Sequence, residues 1–116
     1  MSDNPTREGV TLQNTELKQF VIDKIDDMKG RNITELDVAG KSSITDLMIV
    51  CSGNSKRHVT AIADNLVVEA KHAGIQPLSV EGKDTGEWVL VDLGEVIVHV
   101  MQDDTRDFYQ LEKLWA

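Results

Sequence analysis

The sequence predicts a mixed α/β fold, a single domain in which helices pack on a β-sheet of about five strands. Three observations support this prediction. A chain of 116 residues with 41% hydrophobic residues is long enough to bury a core of its own. Segments with helical periodicity alternate with short apolar runs in the order α-β-β-α-β-β-β-α. Neither a doubly wound fold nor a simple meander has that order, so helices packed on a mixed sheet are the simplest arrangement.

The first half of the chain is expected to form a tail, a helix and two strands. Residues 1–14 are polar and are interpreted as a flexible N-terminal tail, which leaves residues 15–116 for the α/β domain. Thr15 can cap the first helix, and Gly30 ends it. The apolar positions of that helix are Leu17, Val21, Ile25 and Met28. Two strands follow, ITELDV and then LMIVCSG, and the second is so apolar that we expect it to be interior.

The second half supplies a long helix, three strands and a last helix. Ser55 can cap the long helix, and Gly74 ends it. The apolar stripe of the long helix is Val59, Ile62, Ala63, Leu66, Ala70 and Ala73. The three strands are PLSVEG, WVLVD and VIVHVM. Asp103 or Asp104 can cap the last helix, and we expect it to bury Phe108, Leu111 and Trp115 on one stripe.

The hairpin formed by the last two strands has an unusual turn, because Leu93 stands where polar residues are preferred. A two-residue Leu93-Gly94 turn would place Trp88 opposite His99. A type I turn with a bulge at Gly94 would place Trp88 opposite Val98, and it is preferred because it spares Leu93 a positive φ. Both registers expose Leu93 at the tip. Since Trp is enriched in binding hot spots, Trp88 and Leu93 are candidate partner contacts, with Trp88 as a core residue the alternative.

Composition excludes several classes of function. The chain has 20 acidic and 12 basic residues, a net charge of −8, which repels phosphate backbones and argues against direct nucleic-acid binding. The same charge favours a basic protein partner, although it also serves solubility alone. Cys51 is the single cysteine, so an internal disulfide is impossible, as is usual in the cytoplasm. No apolar run is long enough to cross a bilayer, and the N-terminus has no apolar signal core, so export is not expected.

A strand, a loop of small residues and a helix start meet in the stretch IVCSGNSKRHV. Backbone N–H groups of the Ser52–Ser55 loop could hold an anion, with Lys56 and Arg57 nearby. The stretch matches neither the Walker A loop nor the dinucleotide-binding fingerprint. A tight strand-to-helix turn with a serine cap is therefore the favoured interpretation.

The remaining reactive side chains lack the companions that catalysis needs. Cys51 ends an apolar strand, where a free cysteine usually packs, and neither His58 nor His99 brings the third group of a nucleophilic site. Asp46 and Asp92 could in principle hold Mg²⁺, but carboxylates at strand ends more often form turns. We expect no catalytic residue, no cofactor and no metal ion.

Four segments together resemble the ribosomal silencing factor family, also called iojap-like. They are SSITDLMIVCSGNSKRHVTAIAD, VEG, WVLVDLGEVIVHVM and RDFYQLEKLW. They occur in order and at compatible spacing over roughly residues 16–115, so their combination is far more specific than any one segment.

The resemblance implies a fold similar to that of nucleotidyltransferases and a cytoplasmic protein with no known enzymatic step. Family members bind a protein of the large ribosomal subunit, the fourteenth in the standard list, and keep the small subunit from joining. They thereby repress translation under nutrient limitation and in stationary phase. The family's binding positions map onto Trp88 and Leu93. Nucleotidyltransferases carry an Asp-x-Asp pair after a Gly-Ser turn, and no such pair follows Ser52-Gly53, which argues against catalysis.

Two alternatives remain open at this point. One is a nucleotidyltransferase-like, nucleotide-binding enzyme that uses the Ser52–Ser55 loop and Asp46. The other is a homodimeric scaffold in which an apolar strand face forms the interface.

Overall fold

A five-stranded mixed sheet lies at the centre of the fold, as the sequence predicts. The computed structural model describes residues 14–43 and 45–114. The elements in chain order are α1 (Asn14–Asp27), β1 (Arg31–Asp37), β2 (Leu47–Gly53), α2 (Lys56–His72), β3 (Ser79–Glu81), β4 (Trp88–Asp92), β5 (Val96–Gln102), α3 (Asp103–Tyr109) and α4 (Leu111–Leu114). The predicted order is confirmed, except that the last helix is divided into α3 and α4.

Three of the sequence predictions fall outside the described residues. The expected tail lies there apart from Asn14, which already begins α1. The side chains of Thr15 and Trp115, predicted to cap the first helix and to join the last stripe, lie there as well.

The strands lie side by side in the order β1-β2-β5-β4-β3. Strands β2 and β5 are parallel, with Val50 beside His99, and the other pairs are antiparallel. The prediction that the LMIVCSG strand is interior is confirmed, since β2 lies between β1 and β5. Strand β5 occupies the middle position, and six of its seven residues are buried. Such burial is typical of a strand whose two faces are both covered.

Helices α1 and α2 cover one face of the sheet, which we call the helix face. Its core joins alternate strand residues to the predicted helical stripes: Ile49, Cys51, Val89, Val91, Val96, Val98 and Val100 with Leu17, Val21, Ile25, Val59, Ile62, Ala63, Leu66 and Ala70. Ala73 was expected in the second stripe but is exposed, because α2 ends at His72. The Ser55 side chain caps α2 as predicted, accepting a hydrogen bond from the His58 N–H at 3.1 Å.

The opposite face of the sheet, the second face, carries the residues that alternate with those of the helix face. Two smaller clusters cover it. Val38, from the connection after β1, packs on Met48 and Ile97, and Leu111 of α4 packs on Val50 and Met101. The second face is therefore covered by short segments, and it is only partly shielded at β4.

Arg106 attaches the C-terminal helices to this second face. Its guanidinium group is buried and donates to the hydroxyls of Ser52 on β2, at 2.8 Å, and Thr34 on β1, at 2.9 Å. It also pairs with the Glu112 carboxylate on α4 at 2.8 Å. Burial alone would raise the pKa of the Glu112 carboxyl, but a backbone hydrogen bond and Arg106 hold that pKa below its ordinary value. One side chain thus joins two helices to two strands.

The single stripe expected for the last helix is wrong. Gln110 takes the left-handed conformation, with φ 50°, and ends α3 there. The break turns Phe108 away from Leu111, so Leu111 is buried while Phe108 is 80% exposed. Asp103 does not cap the helix either, because α3 begins at Asp103 itself and its carboxylate pairs with Arg31 at 2.8 Å. Asp104 likewise lies within the first turn of α3.

Both registers expected for the hairpin are wrong by a shift along the strand. Trp88 lies opposite Met101, and the Leu93 N–H donates to the Val96 carbonyl at 2.9 Å, so Gly94 and Glu95 form the turn. Gly94 has φ 92°, the positive φ that a two-residue hairpin turn requires at its first position. Leu93 therefore lies before the tip and packs in the core of the helix face, 6% exposed.

The hairpin turn is held from outside by the connection that follows β1. The buried hydroxyl of Thr45 donates to the Glu95 carbonyl at 2.7 Å. The Asp92 carboxylate accepts from the Gly94 N–H at 2.8 Å. Both residues of the turn are therefore hydrogen-bonded to a side chain, Gly94 to Asp92 and Glu95 to Thr45.

Replacing Leu93 by Ser is expected to destabilise the domain by at least about 2 kcal/mol, since it leaves a cavity and buries a hydroxyl. Leu78→Ser is the matched control, because Leu78 lies near the same turn and is 68% exposed. Its expected effect is within about 0.5 kcal/mol. Urea unfolding of the two variants measures the difference, and equal stabilities would contradict the burial of Leu93.

The two helical residues Leu111 and Phe108 form a second matched pair. Leu111→Ala is expected to cost about 2–5 kcal/mol, because a buried Leu on the second face is lost. Phe108→Ala is expected to leave the unfolding midpoint close to that of the wild type. A larger loss for Phe108→Ala than for Leu111→Ala would show that the break at Gln110 is misplaced.

Candidate partner-binding surface

Three aromatic side chains form a continuous exposed surface at the junction of β4 and α3, here called the aromatic strip. The Trp88 and Tyr109 rings lie 4.8 Å apart between centroids, and the Tyr109 and Phe108 rings 5.1 Å apart in an edge-on arrangement. Exposure rises along the strip, from half-buried Trp88 to Tyr109 at 49% and Phe108 at 80%. Exposed aromatic side chains in contact with each other are typical of protein-binding surfaces.

Trp88 serves the core and the surface at once. One part of its ring packs against the cluster of Val50, Met101 and Leu111. The remainder stays accessible beside Tyr109. The core interpretation therefore holds for one part of the side chain, and partner contact stays a prediction for the accessible part.

The charges around the strip have one sign on α3. Asp103, Asp104 and Asp107 are exposed there, Asp103 in a surface ion pair with Arg31, while the basic residue of the helix, Arg106, is buried in its own ion pair. Among the described residues of α3, the exposed charges are thus all negative. An apolar strip bordered by carboxylates is complementary to a surface with an apolar spot among Lys and Arg.

Leu93 does not belong to this surface. It lies an odd number of positions from Trp88 along the hairpin strand, so the two side chains point to opposite faces of the sheet. Leu93 packs under α1 and α2, whereas Trp88 lies on the second face. The expectation that Leu93 is exposed at the hairpin tip is wrong, because the turn is formed by Gly94-Glu95 and not by Leu93-Gly94.

His99 fixes the orientation of the Trp88 ring. Its Nδ1 accepts a hydrogen bond from the Trp88 indole Nε1 at 3.0 Å, and the ring centroids are 5.8 Å apart. Burial lowers the pKa of His99 to about 4, because the charged imidazolium has no solvation there. His99 is therefore neutral at physiological pH, with its ring proton on Nε2.

Polar groups of the Ser52–Ser55 loop, considered for anion binding, are hydrogen-bonded within the protein. The Ser52 hydroxyl accepts from Arg106, and the Ser55 hydroxyl caps α2. The Asn54 N–H donates to His58 Nδ1 at 3.0 Å, and His58 Nε2 reaches the Met28 carbonyl at 2.8 Å. These groups connect β2, α1 and α2, so the structure supports the tight capped turn over an anion cradle.

The other reactive side chains do not come together into one site. Cys51 is fully buried on the helix face, where burial raises the pKa of its thiol to about 12, whereas His99 lies on the second face. Asp92 forms the hairpin turn, and the Asp46 side chain is exposed. Within residues 14–43 and 45–114, no three His, Cys, Asp or Glu side chains are grouped so as to hold a metal ion. The same residues contain no helix that is long and apolar enough to span a membrane.

Sequence reasoning missed Tyr109 and Phe108 as surface residues. Neighbouring residues of a helix point about 100° apart, so two adjacent aromatic residues cannot both face one core. That adjacency was the available signal. No sequence signal indicated the role of Arg106, because its hydroxyl partners lie on strands that are distant in sequence.

The low pKa of His99 predicts a pH dependence of stability. The unfolded chain binds a proton near pH 6.5 and the folded chain only near 4, so stability is fully present above 6.5 and falls as the pH drops toward 4. The expected loss is about 3 kcal/mol. His99→Phe removes this component, and His72→Gln, at an exposed histidine, retains it. Unfolding free energies at pH 7.5 and 4.5 test this, and parallel curves for wild type and His99→Phe would contradict it.

The chain is similar in sequence to a known family and to curated proteins. Residues 11–116 match the model of the family described as "Ribosomal silencing factor during starvation". A curated relative from Haemophilus influenzae, "Ribosomal silencing factor RsfS", is 55% identical over 100 residues, which are 86% of this chain and 98% of the relative. A mouse protein, "Mitochondrial assembly of ribosomal large subunit protein 1", is 38% identical over 90 residues, 75% of this chain and 40% of that protein.

Solved structures agree with the fold. A crystal structure of a Chromobacterium violaceum protein superposes with a TM-score of 0.87 at 42% identity and covers 90% of this chain and 87% of its own. A crystal structure of a Bacillus halodurans protein superposes with a TM-score of 0.80, also at 42% identity, and the match covers 88% of this chain and 95% of that protein's chain. The family match spans nearly the whole chain and the fold agrees across it. The chain belongs to the ribosomal silencing factor family.

Proposed function

We propose that this protein binds the large ribosomal subunit in the cytoplasm and prevents the small subunit from joining it, repressing translation when nutrients are scarce. The observation that carries the proposal is the family match over residues 11–116, since the family is described as a silencing factor during starvation. The name of the mouse relative also refers to the large ribosomal subunit. The partner on the subunit is a ribosomal protein, the fourteenth in the standard list.

The aromatic strip is the surface that we assign to this partner. Ribosomal proteins are basic, and the exposed charges of α3 are carboxylates, so the two surfaces attract each other. Trp88, Tyr109 and Phe108 supply an apolar centre of the kind that carries most of the free energy of binding. The net charge of −8 keeps the rest of the domain from binding rRNA phosphates without specificity.

Leu93 contributes to binding through the shape of the hairpin. Its buried side chain joins β4 to the core of the helix face, while Trp88 lies on the second face of the same strand. Loss of Leu93 would therefore displace the strand that carries Trp88. The role proposed for Leu93 is positioning, and that proposed for Trp88 is direct contact.

The mechanism is competitive occlusion, with no bond made or broken. The bound domain occupies space that the small subunit must enter. The fraction of silenced subunits then depends on the concentration of the factor relative to its dissociation constant. Starvation can act simply by raising that ratio.

Purified protein added to separated subunits is expected to stop the formation of complete ribosomes once large subunits are saturated. Phe108→Ala is expected to fold like the wild type but to require at least tenfold more protein, since a hot-spot loss of about 2 kcal/mol is roughly thirtyfold in affinity. Val68→Ala is the control, an exposed apolar residue on α2. Sucrose gradients measure joining, and co-sedimentation measures binding. Complete ribosomes that form normally at a saturating excess of wild type would refute the proposal.

The homodimeric scaffold gives a different result in the same experiment. If a second copy covered the aromatic strip, Phe108→Ala would convert a dimer into a monomer. Light scattering on the purified variant reports this directly. A shift to monomer with unchanged binding to large subunits would assign the strip to self-association.

A further inference from the structure

His99 is an unusual residue for its position. It lies in the middle strand of the sheet, 5% exposed, among apolar neighbours. Its Nδ1 accepts from the Trp88 indole, which leaves the ring proton on Nε2. That Nε2 is buried and has no hydrogen-bond partner among the described residues.

A buried donor without an acceptor lowers the stability of the fold. A phenylalanine would fill the same space without that cost. What the imidazole provides, and phenylalanine does not, is an acceptor for the Trp88 indole N–H. The imidazole ring thus accepts the Trp88 hydrogen bond at Nδ1 at the cost of an unpaired donor at Nε2.

Trp88 is within reach of His99 because of the register of the hairpin. Leu90 lies opposite His99 and Trp88 opposite Met101, so the two rings are diagonal neighbours on the second face. The indole is held at three points: the 3.0 Å hydrogen bond to His99, the packing on the Val50 cluster, and the contact with Tyr109. Of these three, the hydrogen bond is the directional contact, because it requires the indole Nε1 to point at His99 Nδ1.

We propose that His99 is a positioning residue for partner binding, which accepts the Trp88 indole N–H and thereby presents the aromatic strip in one preformed arrangement. This inference rests on the proposed function of the strip. A rigid surface binds more tightly because less side-chain freedom is lost in the complex. His99 itself touches no partner, because it is buried beneath the strip.

A double-mutant cycle separates this role from a structural one. Trp88→Phe keeps an aromatic ring and removes the indole N–H, and His99→Phe removes the acceptor. Affinity for purified large subunits is expected to fall at least tenfold in His99→Phe. In the Trp88→Phe background the same change is expected to alter affinity less than twofold, since the hydrogen bond is already absent.

Stability gives an independent readout. His99→Phe removes the unpaired Nε2–H donor but also deprives the half-buried Trp88 indole N–H of its acceptor, so its melting temperature at pH 7.5 is expected to stay close to that of the wild type while affinity falls. His99→Asn can place its Oδ1 where Nδ1 lies, and it is expected to recover at least half of the lost affinity on a logarithmic scale. Equal affinity losses for His99→Phe in both backgrounds would show that His99 supports the fold and does not position Trp88.

Fluorescence distinguishes failure of this inference from failure of the proposed function. Trp115→Phe leaves Trp88 as the single tryptophan. Time-resolved anisotropy of Trp88 is expected to show little local motion, and His99→Phe in this background is expected to add a fast component. Unchanged local motion would overturn the positioning role whether or not ribosomes are bound. Faster motion together with no binding of the wild type would retain the positioning of Trp88 and refute only its purpose on the ribosome.

Discussion

Strand β5 is covered on both faces, and the positions of the other elements follow from that constraint. Its parallel neighbour β2 and its antiparallel neighbour β4 satisfy its backbone groups on both sides. The residues of β5 on the helix face are covered by α1 and α2. Those on the second face need other segments to cover them. The chain meets the second requirement with short segments, Val38 after β1 and Leu111 on α4. The long helices thus build a stable core, while the second face is left partly open at β4.

That asymmetry puts the larger core and the proposed binding surface on different sides of the sheet. The helix face holds the larger core, and its buried side chains are apolar. The second face holds the buried polar groups Ser52, His99 and Arg106, and each is engaged in positioning something else. Arg106 fixes α3, which carries Tyr109 and Phe108, and His99 orients Trp88. Two buried polar side chains thereby shape the exposed strip from beneath.

Much of this fold could be predicted from the sequence, and the errors have physical causes. Helical stripes and apolar strands gave the element order, because periodicity records which face is buried. The hairpin register failed because the turn lies at Gly94-Glu95, one residue further along the chain than the Leu93-Gly94 turn, and this moves Leu93 from the tip into the core. The prediction of a single last helix failed because Gln110 adopts a left-handed conformation, which is typical of glycine and not of glutamine. Of the strip, Trp88 was predicted as a candidate contact, whereas the adjacency of Phe108 and Tyr109 indicated only that the two rings cannot both face the core.

On the proposed function, the aromatic strip meets the large ribosomal subunit where the small subunit must dock. An electron cryomicroscopy reconstruction of the wild-type protein bound to purified large subunits would show whether it does. Trp88, Tyr109 and Phe108 are expected to be buried against a ribosomal protein on the intersubunit side, with Val68 and the rest of α2 facing away. Binding through α2, with the strip left in solvent, would contradict it.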